Sequence, residues 1–368
     1  MQGNENRSAE NLQREGMVRI APLASIPTLL QELGCDPDPV FQQVELSREL
    51  WNHPETEISF ISASRLLEAS AVATGCDHFG VLLGERVEPS SLGVAGLMLR
   101  CAPDPGVAIK MLRDNLNLHD SGGLVTFETV NEMARFGYLV IQPGTSAIDQ
   151  IYDLSIAVAC KIMRGLCGDH WSPAKVLLSR KRPRDIRPHT DYFHAPVEFG
   201  AAANAIEFPV SWLNYPNPGA DPHLFKYLSE RAGELQARHR TSLLSNLQRI
   251  MLNAIFHQRC SVEYVAGMLG MHQRTLNRKL VEFSTSFRQE LEKQRFELAR
   301  QMQAAGLRAV ITCVDPKQVD EAFVGREFGP TLLDELPDHV DPCGENGEFH
   351  TFCHKGPAFS HEIEVRVG

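Results

Sequence analysis

The chain has 368 residues, 43% of them hydrophobic and 22% charged, and a formal net charge of −10. That length allows two or three domains of ~150 residues, and the composition is that of a globular protein able to build a sizeable core. No run approaches the ~20 apolar residues that span a bilayer, and Met1 to Gly16 lacks the apolar stretch of a secretory signal. A cytoplasmic protein without membrane contact is expected. The nine cysteines include no C-x-x-C pair, which points to reduced, buried thiols and away from a disulfide framework.

Residues 1–16 are polar and mixed in charge, as in a disordered leader. From residue 17 to about 228, helical and strand patterns mix, and the class predicted is α+β. Ser64 to Thr74 carries Leu66, Leu67, Ala71 and Val72 on neighbouring turns of a helix. Asp104 and Pro105 open a second helix, running to Leu118. Leu124 to Val130 and Arg135 to Ile141 read as strands, with Asn131 and Glu132 making a hairpin between them. Ile148 to Leu166 is a long amphipathic helix, and Ala174 to Ser179 a buried strand. Arg180 to Pro188 is a basic loop, and His189, Asp191 and His194 read as polar loop residues. Tyr215 to Pro222, with three prolines and a glycine, is a turn-rich break taken to end the first domain. His223 to Gln258 is helical, with a break near Ala237; Phe225, Leu228 and Leu235 fit a core or dimer seam.

Charge is unevenly spread. Residues 237–302 carry 11 Lys/Arg and 5 Asp/Glu, a local charge of +6. They lie between residues 1–236 (20 against 29, −9) and 303–368 (5 against 12, −7). Local sign governs contact with phosphates, so a basic island in an acidic chain is compatible with nucleic acid.

That island holds the most informative pattern. Ser261 caps a helix over Val262 to Leu269, Gly270 supplies a tight turn, and a second helix follows from His272 to Phe283. Val265, Ala266, Leu269, Met271, Leu276 and Leu280 are spaced to pack two short helices at a steep angle, a helix-turn-helix. Gln273, Arg274, Asn277, Arg278 and Val281 are left facing outward. Arginine can bridge guanine O6 and N7, asparagine or glutamine adenine N6 and N7, while Lys279 and Arg288 are placed for phosphates. A solvated amphipathic helix pair would show the same spacing.

Ser261 to Leu280 (SVEYVAGMLGMHQRTLNRKL), followed by Ser286-Phe287 and by Arg295 to Arg300 (RFELAR), resembles the first DNA-binding half of AraC-family regulators. The resemblance places Gln273, Arg274, Asn277 and Arg278 in a recognition helix, and Leu291 to Gln301 in the helix linking two helix-turn-helix units. Residues 17–228 resemble the arabinose-binding-like sensing domain of a subgroup, at Phe199-Gly200, Asn204-Ala205 and Arg182-Pro183. That implies an effector-responsive regulator with double-stranded DNA, an unidentified small molecule and a second copy of itself as partners. It implies no cofactor.

Residues 303–368 depart from that family, because nothing after Met302 repeats the second helix-turn-helix. Gly306 to Asp315 reads as a strand entering a loop. Asp341 to Phe352 (DPCGENGEFHTF) with Gly356-Pro357 resembles the C-terminal end of diphthine–ammonia ligase-like ATP-pyrophosphatases. That resemblance implies a short α/β-type fragment in which Glu345, Asn346, Glu348 and His350 are the polar residues of interest. The family's S-G-G-K-D-S phosphate loop is missing; Ser121-Gly122-Gly123 echoes it without the aspartate and without a buried strand before it. Cys343, His350, Cys353 and His354 lack the spacing of a zinc finger, and no metal site is assigned. The expected domains are therefore 17–228 for sensing and dimerisation, 229–302 for linker helices and the all-α DNA-binding pair, and 303–368 for a fused fragment. A regulator is favoured. The alternatives are an ATP-dependent ligase and a fusion product with neither activity.

Overall fold

The computed structural model describes residues 16–368 except 143, 239–242, 257–259, 270, 305, 338, 341–343, 345–346, 357–360, 362 and 366–368. The expected leader lies outside these residues apart from Gly16. The chain divides into two units, Met1–Thr241 and Ser242–Gly368.

In the first unit, β1 (Met17–Arg19) pairs antiparallel with β2 (Glu57–Ser59) around α1 (Ile26–Glu32) and α2 (Pro37–Gln43). Four helices follow: α3 (Phe60–Thr74), α4 (Phe79–Arg86), α5 (Val94–Cys101) and α6 (Pro105–Asn115). Ser59 caps α3 by accepting from the Ser62 amide at 3.2 Å. Asp104 caps α6 by accepting from the Val107 amide at 2.8 Å, with Pro105 behind it. The hairpin joins β3 (Gly123–Val130) to β4 (Met133–Val140). Its two turn residues, Asn131 and Glu132, both take positive φ (49° and 63°), which matches the right-handed twist of the strands.

Next come α7 (Ile148–Cys167), β5 (Lys175–Leu178), α8 (Arg187–Phe193), β6 (Val197–Phe199), β7 (Ala205–Pro209) and α9 (Pro222–Arg238). The sheet order is β3-β4-β7-β5-β6, antiparallel except for β5–β6. Helix α7 is buried on most of its circumference, from Ile151 to Cys167. It can lie close to α4 because Gly80 and Gly84 face it: a Cβ at Gly80 would overlap the Gln150 carbonyl, and one at Gly84 the Ala157 methyl. The Gly80 amide donates to Gln150 Oε1 at 2.8 Å, while Gln150 Nε2 donates to the Asp77 carbonyl at 2.9 Å.

The structure corrects two sequence readings in this unit. His189 and Asp191 lie on α8 and not in a loop, and His189 is fully buried. The turn-rich stretch 215–222 does not end the unit, because Leu228 and Ala232 of α9 pack on Met98 and Cys101 of α5. Of the suggested seam residues, Leu228 is thus core, whereas Phe225 is only partly buried against the same cluster.

The second unit runs α10 (Leu243–Phe256), α11 (Val262–Met268), α12 (Gln273–Glu282), α13 (Phe287–Ala304), β8 (Arg308–Val314), α14 (Pro330–Glu335) and β9 (Phe349–Lys355). The fragment expected to be α/β in type contains an antiparallel pair, with Ala309 opposite Cys353 and Val314 opposite Phe349. Its small core is Ile311, Val319, Leu332, Val340 and Phe349. Among the described residues between β8 and β9 there are only a 3-10 turn (Glu321–Phe323) and the six-residue α14, too short for the crossover that a parallel pair needs. No single described helix is long and apolar enough to cross a membrane.

Candidate DNA-binding helix pair

The two short helices form as their sequence dictates. Ser261 Oγ accepts from the Tyr264 amide at 3.1 Å and starts α11. The Met271 amide donates to the Ala266 carbonyl at 2.9 Å as the chain turns. Gly270, to which the turn was assigned, lies outside the described residues. His272 Nδ1 accepts from the Arg274 amide at 3.2 Å and caps α12. Val265 and Ala266 of α11 and Leu276 and Leu280 of α12 are buried. Leu269 and Met271 are half-buried.

Burying Leu276 and Leu280 decides what α12 shows to solvent. Arg274, Asn277, Arg278 and Val281 stand at i, i+3, i+4 and i+7 and are all exposed, Val281 by 72%. Gln273 and Lys279 flank this face and are half-buried. Neither arginine is engaged by a side-chain hydrogen bond or ion pair with a described residue. Arg288, on the first turn of α13, is 83% exposed and pairs with Glu292 at 2.9 Å, a pair weak enough in water to exchange for a phosphate. The surface therefore offers two free guanidinium forks, an amide and a methyl-bearing side chain on one ridge, the groups that read base edges in a major groove.

The sequence reading missed Glu290. This carboxylate is fully buried on α13. It accepts from Gln248 Nε2 of α10 at 3.0 Å, from Thr285 Oγ1 at 2.8 Å and from Lys293 Nζ at 2.8 Å. Burial pushes its carboxyl up, but the hydrogen bonds from Lys293, Gln248 and Thr285 outweigh that and hold it below the ordinary glutamate value. Thr285 lies three residues past Glu282, the last residue of α12, so Glu290 ties the loop after α12 to α10. A glutamate inside SFRQELEKQ reads as one more solvated charge; no periodicity marks it.

A second buried cluster was also missed. Asp153 of α7 is fully buried and pairs with Arg180, which follows β5, and with His189 Nε2 at 3.1 Å. Arg180 also donates to the Asp77 carbonyl at 3.0 Å. The cluster pins α8 and the basic loop onto the central helix. Asn204, one of the residues carrying the sensing-domain resemblance, accepts from the Ser179 amide at 2.8 Å through Oδ1. Gly200 takes φ 72°, and its amide donates to the Arg180 carbonyl at 2.9 Å.

The Ser121-Gly122-Gly123 echo has a packing explanation. A Cβ on Gly122 would overlap the Phe60 ring, and one on Gly123 the Tyr138 phenol. In the fragment, Glu348 is buried while His350 is exposed on β9. Cys353 and His354 lie on the same strand; Cys343, Glu345 and Asn346 lie outside the described residues.

A helix-turn-helix presenting arginines, in a chain that also holds an α+β unit, defines a DNA-binding regulator. Residues 34–217, half of the chain, match the N-terminal arabinose-binding domain of AraC transcription regulators. The chain belongs to that family. Residues 294–368 match the C-terminal domain of diphthamide synthase. The HTH-type transcriptional regulator VirS of Mycobacterium tuberculosis is 26% identical over 299 residues, 79% of this chain and 86% of its own length. The ornithine utilization regulator of Pseudomonas aeruginosa is 22% identical over 296 residues, covering 77% and 84%. The crystal structure of the transcriptional regulator CdpR from Pseudomonas aeruginosa superimposes with a TM-score of 0.41 at 20% identity, covering 72% of this chain and 83% of that one.

Proposed function

We propose that the chain is an effector-responsive transcription regulator that reads DNA through one helix-turn-helix per copy. Helix α12 enters the major groove with Arg274, Asn277 and Arg278 on base edges and Val281 against thymine methyl groups. Gln273 supports the base contacts from the side of the ridge. Lys279 and Arg288 take phosphates. The observation that carries the reading is the single exposed ridge of Arg274, Asn277, Arg278 and Val281 over a buried Leu276–Leu280 seam.

In this reading the second helix-turn-helix has been replaced. After Ala304 the described residues build β8, α14 and β9, and the diphthamide synthase match begins inside α13. The first unit supplies effector sensing and pairing of two copies, which raises the effective concentration of the lone DNA-reading helix at a second half-site. The chain is read as a regulator and not as a ligase, its Gly122-Gly123 turn being fixed by Phe60 and Tyr138 and not shaped for phosphate.

Alanine at Arg274 or Arg278 should cost about 1–3 kcal/mol at one base position of a selected duplex and relax preference there. Lys279→Ala should weaken all duplexes alike and flatten the salt slope by about one unit. Unchanged affinity and unchanged base preference in both arginine variants would remove α12 from the DNA.

A further inference from the structure

The basic loop between β5 and α8 has no part in the function proposed above. Residues 180–187 (RKRPRDIR) carry five Lys/Arg and one Asp, within residues 1–236, whose net charge is −9. Two of the five are spent on structure. Arg180 is buried against Asp153, and Arg187 closes on Asp185, with its Nη2 2.6 Å from the carboxylate. Lys181, Arg182 and Arg184 are exposed, and none makes a side-chain hydrogen bond or ion pair with a described residue. Elsewhere in the unit Arg48, Arg86, Arg135, Lys161 and Lys175 each meet a carboxylate. Arg65, Arg100 and Lys110 are exposed too, but they stand singly on α3, α5 and α6.

Three neighbouring cations without counter-charges repel one another, and the fold holds them together by fixing both ends of the loop. At the first end the Gly200 amide donates to the Arg180 carbonyl at 2.9 Å, and the Ala201 amide to the Leu178 carbonyl at 3.0 Å. At the second, Asp185 Oδ1 accepts from the Arg187 amide at 3.0 Å, and His189 is buried on Asp153. Pro183 restricts the backbone between Arg182 and Arg184. A pre-formed loop loses less entropy on binding than a free tail of the same charge. Residues 181–184 span at most about 11 Å. Duplex DNA carries one charge per ~1.7 Å of its axis, so about six phosphates lie within that length. An extended acidic peptide offers at best one carboxylate per ~3.3 Å, about half that density. The guanidinium forks of Arg182 and Arg184 match phosphate oxygens in pairs.

We propose that this loop is a second, sequence-independent DNA contact, in which Lys181, Arg182 and Arg184 neutralise phosphates of the duplex. The proposal rests on the DNA-binding reading and adds to it a site in the first unit.

The test compares DNA binding by the full chain and by its Lys181→Gln/Arg182→Gln/Arg184→Gln variant over a series of low salt concentrations. Each lost phosphate contact lowers the slope of log affinity against log salt by about 0.9. The slope should therefore fall by about two to three units, with base preference unchanged. Arg65→Gln/Arg100→Gln/Lys110→Gln, which removes the same charge from the same unit, should leave the slope as it is. If the triple loop variant fails to fold, Arg182→Gln alone should lower the slope by about one unit. DNA binding with an unchanged slope in the loop variant overturns the proposal and leaves the α12 reading standing. An equal fall in the control variant assigns the effect to net charge and also overturns it. Poly-glutamate binding that the loop substitutions weaken, with DNA binding untouched, reassigns the loop to an acidic protein. A lowered slope in the loop variant, with nothing changed in Arg274→Ala and Arg278→Ala, upholds the loop and overturns the α12 reading. No DNA binding by the wild-type chain overturns both.

Discussion

Glu290 shows what a single buried carboxylate does beside the exposed ridge of α12. It touches no ridge residue, yet it ties α10 to the loop after α12 through Gln248 and Thr285. Glu290→Ala leaves both partners without their acceptor and should destabilise the second unit by about 1–3 kcal/mol, read from its chemical denaturation midpoint. A change below about 0.3 kcal/mol would contradict the network. The pH dependence follows from the same contacts. The folded carboxyl is held below its ordinary value, so its stabilisation is complete above the unfolded glutamate pKa of about 4.3. That stabilisation is lost as pH falls from there through the folded value. Glu290→Gln should flatten that acid limb. The exposed ridge of α12 was legible in sequence because removing the apolar seam left Arg274, Asn277 and Arg278 outside. Glu290, Asp153 and His189 were not, because burial of a charge depends on partners distant in the chain: Asp153 meets Arg180 and His189 27 and 36 residues away.

At the scale of elements, local rules foretold most pieces and the pairing of sequence neighbours, but none of the long-range pairings. The β3–β4 hairpin was visible because strand alternation flanks two residues that tolerate left-handed angles. Helices α3 and α7 were visible from periodicity, and α6 and α11 from their Asp104 and Ser261 caps. The order β3-β4-β7-β5-β6 was not visible, since β7 inserts between strands that precede it in the chain. Nor was the α4–α7 contact, which depends on two glycines inside a helix. Propensity counts those glycines as a cost; the structure uses them to bring two helix backbones together. Gly84→Leu should therefore force α4 away from α7 and destabilise the first unit by about 1–3 kcal/mol, even though leucine is the better helix former. A rise in melting temperature would show that propensity dominates and that the close approach is dispensable.

Across the whole molecule, the −10 net charge conceals a division of labour. A basic segment, residues 237–302, is followed by an acidic fragment of charge −7 over residues 303–368, and the diphthamide synthase match starts within α13. A regulator that reads DNA through one small module buries only ~600–1,000 Å² there. Its affinity should lie near the non-specific range of about 10⁻⁴–10⁻⁶ M at physiological salt and depend steeply on salt. The measurement that tests this most directly is a DNA titration over a salt series, using a duplex selected from a random pool by the full chain. The full chain and the isolated second unit, residues 242–368, are compared on that duplex. The full chain should bind in a salt-dependent way with a short sequence preference, and the isolated unit should lose that preference. Nanomolar, sequence-specific binding by residues 242–368 alone would contradict it, and would make the β8–β9 fragment a second DNA-contacting unit.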